Sequence, residues 1–193
     1  MTESISGYNR VQLLQGSLLL QQGQFNQAEK SYKETLRDEP ENLEAMYGLG
    51  IICQYREDYE KAKEYFEQAL SLEEVSAQIL NSFGIVSAYL GDRESAISAF
   101  EKAVDIEPEF LEAQKNLADV YIENEDYDNG IKTFRTILQA HPNDVETLLT
   151  VADLYAQAGD AESSRFLLEK VLTIEPENGT AKEGLEKLAT KAK

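Results

Sequence analysis

The chain has 193 residues, of which 42% are hydrophobic and 28% charged, a balance found in globular proteins and not in disordered ones. Its 18 basic and 36 acidic residues leave a net charge of −18. A field of that sign repels phosphate backbones and anionic headgroups, so nucleic acid and membrane insertion are not expected; it would help attract basic partners, but solubility alone also explains it and is the preferred reading. The single cysteine, Cys53, excludes an intramolecular disulfide and a multi-thiolate metal site, and it fits a reducing, cytoplasmic setting.

Residues 1–8 carry no clear pattern and are expected to form a flexible N-terminal segment. The apolar stretch from Val11 to Leu20 has the length of a signal-peptide core. Only Arg10 is basic ahead of it and no small-residue cleavage site follows, so the first helix of a repeat is the better reading. No segment is long and apolar enough to span a bilayer.

From residue 9 the chain is periodic. Its four prolines, Pro40, Pro108, Pro142 and Pro176, are spaced by multiples of 34 residues, and Glu74 stands in the one missing place. Small residues recur at the same interval at Gly16, Gly50, Gly84, Ala118 and Ala152, and again at Ala28, Ala62, Ala96, Gly130 and Ser164. A large apolar series runs Tyr32, Phe66, Phe100, Phe134 and Leu168. The units are 9–42, 43–76, 77–110, 111–144 and 145–178.

Each unit reads as two amphipathic helices joined by a turn. In the third, Leu80, Phe83 and Ser87 share one helical face. Gly91 breaks the helix and Asp92 caps the next one; Gly159 and Asp160 repeat the device, and Gly23 marks the first turn. Gly50 and Ala62 are expected where two helices cross, with Phe66 filling the space between neighbouring units. Pro108 ends its helix. A lone hairpin cannot bury its apolar face, so the units must stack. Residues 179–193 then form a capping helix: Thr180 and Glu183 spell a capping box, and Ala181, Leu185 and Leu188 make a narrow apolar stripe.

This pattern resembles the tetratricopeptide repeat, in which a leucine and glycine open each unit and an alanine, an aromatic and a proline follow. Leu49, Gly50, Ala62, Phe66 and Ala69 match in the second unit, and Gly84, Ala96, Phe100, Ala103 and Pro108 in the third. The tryptophan place is Gln12, Met46, Leu80, Gln114 and Leu148. The resemblance implies an all-α fold, a right-handed superhelix of five helix-turn-helix repeats plus the cap. It also implies a non-enzymatic adaptor that holds a partner protein or peptide in a concave groove lined by the first helix of each repeat.

On that habit the groove is expected to present Leu13, Ser17, Leu20, Tyr47, Ile51, Tyr55, Asn81, Ile85, Tyr89, Lys115, Asn116, Asp119, Glu123 and Asp153. The first three repeats offer mainly apolar and aromatic groups there and the last two mainly carboxylates, so a ligand with an apolar anchor and basic residues is expected. Family members that grip the acidic tails of heat-shock chaperones need lysines, an arginine and asparagines in the groove. The corresponding places here are Leu13, Ser17, Gly48, Gln78 and Ser82, with Glu112 or Glu146 where later windows need lysine, so that use is rejected. Self-assembly, or a role as regulatory subunit of an enzyme complex, is the alternative.

No catalytic constellation, cofactor motif or metal site is expected. His141, the only histidine, reads as a solvent-facing helix-end residue and Cys53 as a buried structural thiol. Gly48, Gly50 and Cys53 lack the third glycine and the preceding strand of a dinucleotide loop. Asp126, Asp128 and Gly130 lack the spacing and the closing glutamate of a calcium loop. Asn178-Gly179-Thr180 is a glycosylation sequon by spelling only.

Overall fold

The computed structural model describes residues 2–72 and 76–191. Glu74, expected at a repeat boundary, lies outside the described residues, as do the last two residues of the expected cap. Among the described residues there are eleven helices and no strand. The helices come in pairs: α1 (Thr2–Gln21) with α2 (Phe25–Asp38), α3 (Leu43–Tyr55) with α4 (Tyr59–Leu70), and α5 (Ala77–Tyr89) with α6 (Arg93–Ile106). Then come α7 (Leu111–Glu123), α8 (Tyr127–Ala140), α9 (Val145–Gln157), α10 (Ala161–Ile174) and α11 (Gly179–Lys191). The first helix begins at Thr2, so the backbone of residues 2–8 extends it rather than forming a separate segment. That stretch has no proline, and its one glycine costs a helix only about 1 kcal/mol.

Local chemistry sets the helix starts. Asn42 Oδ1 accepts from the Ala45 amide at 3.0 Å, Ser76 Oγ from Ile79 at 3.2 Å and Asp144 Oδ1 from Thr147 at 2.9 Å. Asp92 and Asp160 cap α6 and α10 as their spacing predicts, accepting from Ser95 at 3.2 Å and Ser163 at 3.0 Å. The start of α11 differs from its sequence signature. Asn178 Oδ1 accepts from the Ala181 amide at 3.0 Å, so Asn178 is the cap and Thr180 lies in the first turn. The asparagine is itself held, its Nδ2 donating to Glu175 at 2.8 Å.

The turns within repeats share one conformation. Gly23, Gly91 and Gly159 have φ of 70°, 78° and 83°, and Glu57 and Glu125, at the same repeat position, have 60° and 61°. The two glutamates occupy a left-handed backbone that glycine adopts without cost.

The small and large series meet as expected. A Cβ at Gly84 would come within 2.6 Å of the Phe100 ring, and one at Gly50 would overlap Phe66. Phe66 is fully buried among Met46, Ala62, Ala69, Ile79 and Val86, joining the second and third repeats. Close packing of two helices onto one ring requires a residue without a side chain at the crossing.

The contacts divide the chain into two compact units, residues 1–116 and 117–193. In the second, Leu148, Ala152, Leu168 and Val171 form a core with Ala181 and Leu188 of α11. Gly184, unremarked in the sequence, lets Leu168 approach that helix.

Polar clips also join successive repeats in the first unit. Arg56, after α3, donates to Glu29 of α2 at 2.7 Å and to Asn26 at 2.6 Å. Lys63 of α4 donates to Asp92, before α6, at 2.8 Å. Lys63, followed by the Ser95 side chain and amide, holds the Asp92 carboxyl down at about 2. Asp92→Ala is expected to cost about 1 kcal/mol near neutral pH, the usual loss of a helix cap. The folded value lies below the unfolded one, so this contribution is present above about pH 4 and disappears as pH falls through about 2. Urea melts of both proteins across that range check it.

Candidate functional site

The first unit holds a cavity of about 490 Å³ lined by Tyr47, Ile51, Gln54, Tyr55, Tyr59, Gln78, Asn81, Ser82, Ile85, Tyr89, Phe110 and Glu112. Helices α3 and α5 supply most of the wall. Their residues at repeat positions five and nine point to one side while positions such as Leu49 and Val86 enter the core. Six expected residues are thereby brought together: Tyr47, Ile51, Tyr55, Asn81, Ile85 and Tyr89.

The aromatic groups are partly fixed in advance. Tyr89 stacks on Tyr59 with ring centroids 4.6 Å apart and planes 4° from parallel. Tyr55 stacks on Phe25 at 5.1 Å. Both outer tyrosines nevertheless stay exposed, 68% for Tyr55 and 67% for Tyr89. Tyr47 lies deeper, 5.9 Å from the Phe66 ring, with its hydroxyl 3.4 Å from Ser82 Oγ. A polar chain crosses the wall. Asn116 Nδ2 donates to Asn81 Oδ1 at 2.8 Å, and Asn81 Nδ2 donates to Glu112 at 3.4 Å. Gln54 Oε1 is shielded and has no hydrogen-bond partner, leaving an acceptor in the wall unused. The site is thus an aromatic bowl with amide groups and one carboxylate, suited to holding an apolar side chain beside polar backbone.

The other expected residues fall elsewhere. Leu13 and Leu20 pack, half-buried, on the core of the first two repeats. Ser17 Oγ lies 2.9 Å from a Glu44 oxygen and 3.1 Å from Leu13 O, with one proton to donate to either, and accepts from Tyr32 at 3.3 Å, so it sits between the first repeat and the second. None of the three lines the cavity. Lys115 lies on α7 and does not line it; Asn116 reaches it through Asn81. Asp119, Glu123 and Asp153 belong to the second unit, where all three are exposed. Tyr59 and Phe110 are cavity residues that the groove positions do not predict. Tyr59 opens a second helix and Phe110 ends a repeat, places that the family habit ignores. The sequence signal for Tyr59 is the aromatic that recurs at its repeat position, Phe25, Tyr59 and Tyr127; Phe25 makes the matching stack on Tyr55.

The second unit has a cavity of its own, about 330 Å³ and mostly apolar, lined by residues of α8, α9 and α10 including Ile131, Phe134, Leu154 and Tyr155.

Among the described residues no group of three or more His, Cys, Asp or Glu side chains could hold a metal ion. Asp126 caps α8 and Gly130 packs against Ile122, so the calcium-like spelling is a helix start. Cys53 is half-buried rather than buried. Burial, with the Asp58 and Glu29 carboxylates, pushes its thiol pKa up, which disfavours the reactive thiolate. His141 ends α8, its amide donating to Ile137 O at 2.7 Å. It is half-buried rather than solvent-facing, with Nε2 shielded.

Sequence profiles described as tetratricopeptide repeat match residues 13–70, 54–108, 89–144 and 122–188. A tetratricopeptide repeat protein of Parabacteroides merdae is 23% identical with a TM-score of 0.81, over 94% of this chain and 72% of its own. MamA of Desulfovibrio magneticus is 20% identical with a TM-score of 0.80, over 89% and 97%. YrrB, described as having an unusual peptide-binding site, is 20% identical with a TM-score of 0.77, over 91% and 90%. These likenesses concern the fold. No curated protein matches this chain.

Proposed function

This chain belongs to the tetratricopeptide-repeat family, and we propose that it is an adaptor whose first unit captures a partner segment by an apolar anchor. The observation that carries this reading is the cavity walled by Tyr47, Tyr55, Tyr59 and Tyr89 with Ile51 and Ile85 at its sides. Tyrosine gives large contact area with little conformational freedom to lose, and stacking removes part of even that loss before binding. Glu112 accepts from Asn81 through one oxygen, and its carboxylate is the charge in the lining that a lysine or arginine would meet. YrrB offers a precedent in its description for peptide binding on this fold.

The partner is therefore an extended or helical segment with an apolar or aromatic anchor and a basic neighbour. The net charge of −18 steers such a ligand and repels acidic ones. Selection from a displayed random-peptide library tests this. Enriched peptides are expected to pair a large apolar residue with lysine or arginine and to lose binding on Tyr55→Ala. Enrichment of acidic peptides, or binding indifferent to Tyr55→Ala, would contradict the reading.

A further inference from the structure

The second unit's cavity of about 330 Å³ lies where the fourth repeat meets the fifth. The junction of the second and third repeats shows how such a space is normally closed. There Phe83 and Leu90, half-buried, pack on the core of Ala62, Phe66 and Ala69. Lys63 seals the edge, donating to Asp92 at 2.8 Å and lying 5.7 Å from the centre of the Phe83 ring. Two repeats later those three places are Val151, Ala158 and Ile131. Two of the side chains are smaller, and the third has no charge with which to make the clip. Tyr155 and Leu167, standing where the third repeat has Ser87 and Ala99, line the space rather than fill it.

One charged group borders this apolar space, the guanidinium of Arg135. Among the described residues no hydrogen bond or ion pair engages it. The lining holds no carboxylate, and residues 129–143 contain Lys132 and Arg135 and no acid. Acids beyond about 10 Å are screened at ordinary salt, so the net charge of −18 does not bar an anion from this place.

We propose that the cavity binds a single-chain amphipathic carboxylate, its hydrocarbon tail among Leu138, Val151, Leu154 and Leu167 and its carboxylate on Arg135. A guanidinium takes a carboxylate through two parallel N–H···O bonds, and Gln139 brings an amide to the same wall. Burial of the tail supplies the affinity. The volume falls within the range of about 300–1,000 Å³ typical of small-molecule sites. A cationic amphiphile meets Arg135 as a like charge. A peptide backbone would leave its polar groups unpaired against these walls.

Titration calorimetry of the full chain with decanoate, decanol and decylammonium tests the proposal. Decanoate is expected to saturate at one per chain and to bind at least about tenfold more tightly than decylammonium. Arg135→Gln should weaken decanoate about tenfold or more, the loss of a charge-assisted bond, and leave decanol unchanged. Ala158→Leu, which installs the side chain of the third repeat, should weaken both. Arg135 and Ala158 are exposed, and Leu90 holds the same backbone conformation as Ala158, with φ of −79° and −71°. Circular dichroism of both variants should therefore match the parent. Tyr55→Ala, in the first unit's cavity, should bind decanoate like the parent. Decanoate that never saturates overturns the proposal, as does decylammonium bound equally well. So does decanoate binding that survives Arg135→Gln or Ala158→Leu, or that is lost with Tyr55→Ala.

Discussion

Phe66→Ala and Phe100→Ala are each expected to destabilise the first unit by about 3–5 kcal/mol, the loss typical of a large buried aromatic. Phe66 is 0% exposed and Phe100 2%, and each ring lies on a glycine of the facing helix. The facing residues cannot refill the space: Gly50 and Gly84 have no side chain to move, and Ala62 and Ala96 are already buried. Tyr55→Ala is expected to cost much less, roughly 0.5–1.5 kcal/mol, the scale of one aromatic stack. Denaturant melts rank the three. If Tyr55→Ala is the worst of them, the assignment of helix faces is wrong.

The second large effect is kinetic. On a peptide selected as described above, Tyr47→Ala with Tyr55→Ala should speed dissociation about tenfold or more, because the anchor's buried area holds the complex together. Asp119→Lys with Asp153→Lys should act on association instead. Exposed charges set the encounter rate and are screened within about 10 Å at ordinary salt. We therefore expect that raising salt slows association to the parent protein and does so less for this charge-reversed pair. Stopped-flow rates at low and high salt separate the two effects. Equal binding after both pairs of changes would place the site elsewhere.

The sequence shows the architecture because each repeat solves the same packing problem with the same residue types. Phe66 needs Gly50, Phe100 needs Gly84, and the 34-residue interval makes both pairs visible without coordinates. Asp92 and Asp160 are legible for a similar reason, since a cap depends on its nearest neighbours. Where two local solutions compete, the sequence misleads. Thr180 and Glu183 spell a capping box, yet Asn178, two residues earlier, takes the role. Glu57 and Glu125 adopt the glycine conformation, because the two helices that each turn joins impose one turn geometry on whatever residue stands there.

The candidate site was half visible. Tyr47, Ile51, Ile85 and Tyr89 occupy repeat positions that recur in register, so their convergence follows from the period. Tyr59 and Phe110 come from helix ends, and their approach to the cavity depends on how one repeat sits on the next. Leu13 and Ser17 hold the same formal positions as Tyr47 and Ile51, but they lie against the first repeat's own neighbours. Position in the repeat selects a face; the neighbouring side chains decide whether that face opens into a cavity.

Titration calorimetry of a selected peptide against Tyr55→Ala with Tyr89→Ala tests the central claim most directly. Each change removes one aromatic stack from a side chain more than half exposed, so the double variant should fold and be only about 1–3 kcal/mol less stable than the parent. The account predicts that affinity falls at least about tenfold, more than about 1.4 kcal/mol, while Phe166→Ala, equally exposed but outside the cavity, changes nothing. Unchanged affinity in the tyrosine variant, or an equal loss in Phe166→Ala, would contradict a binding site built on this cavity.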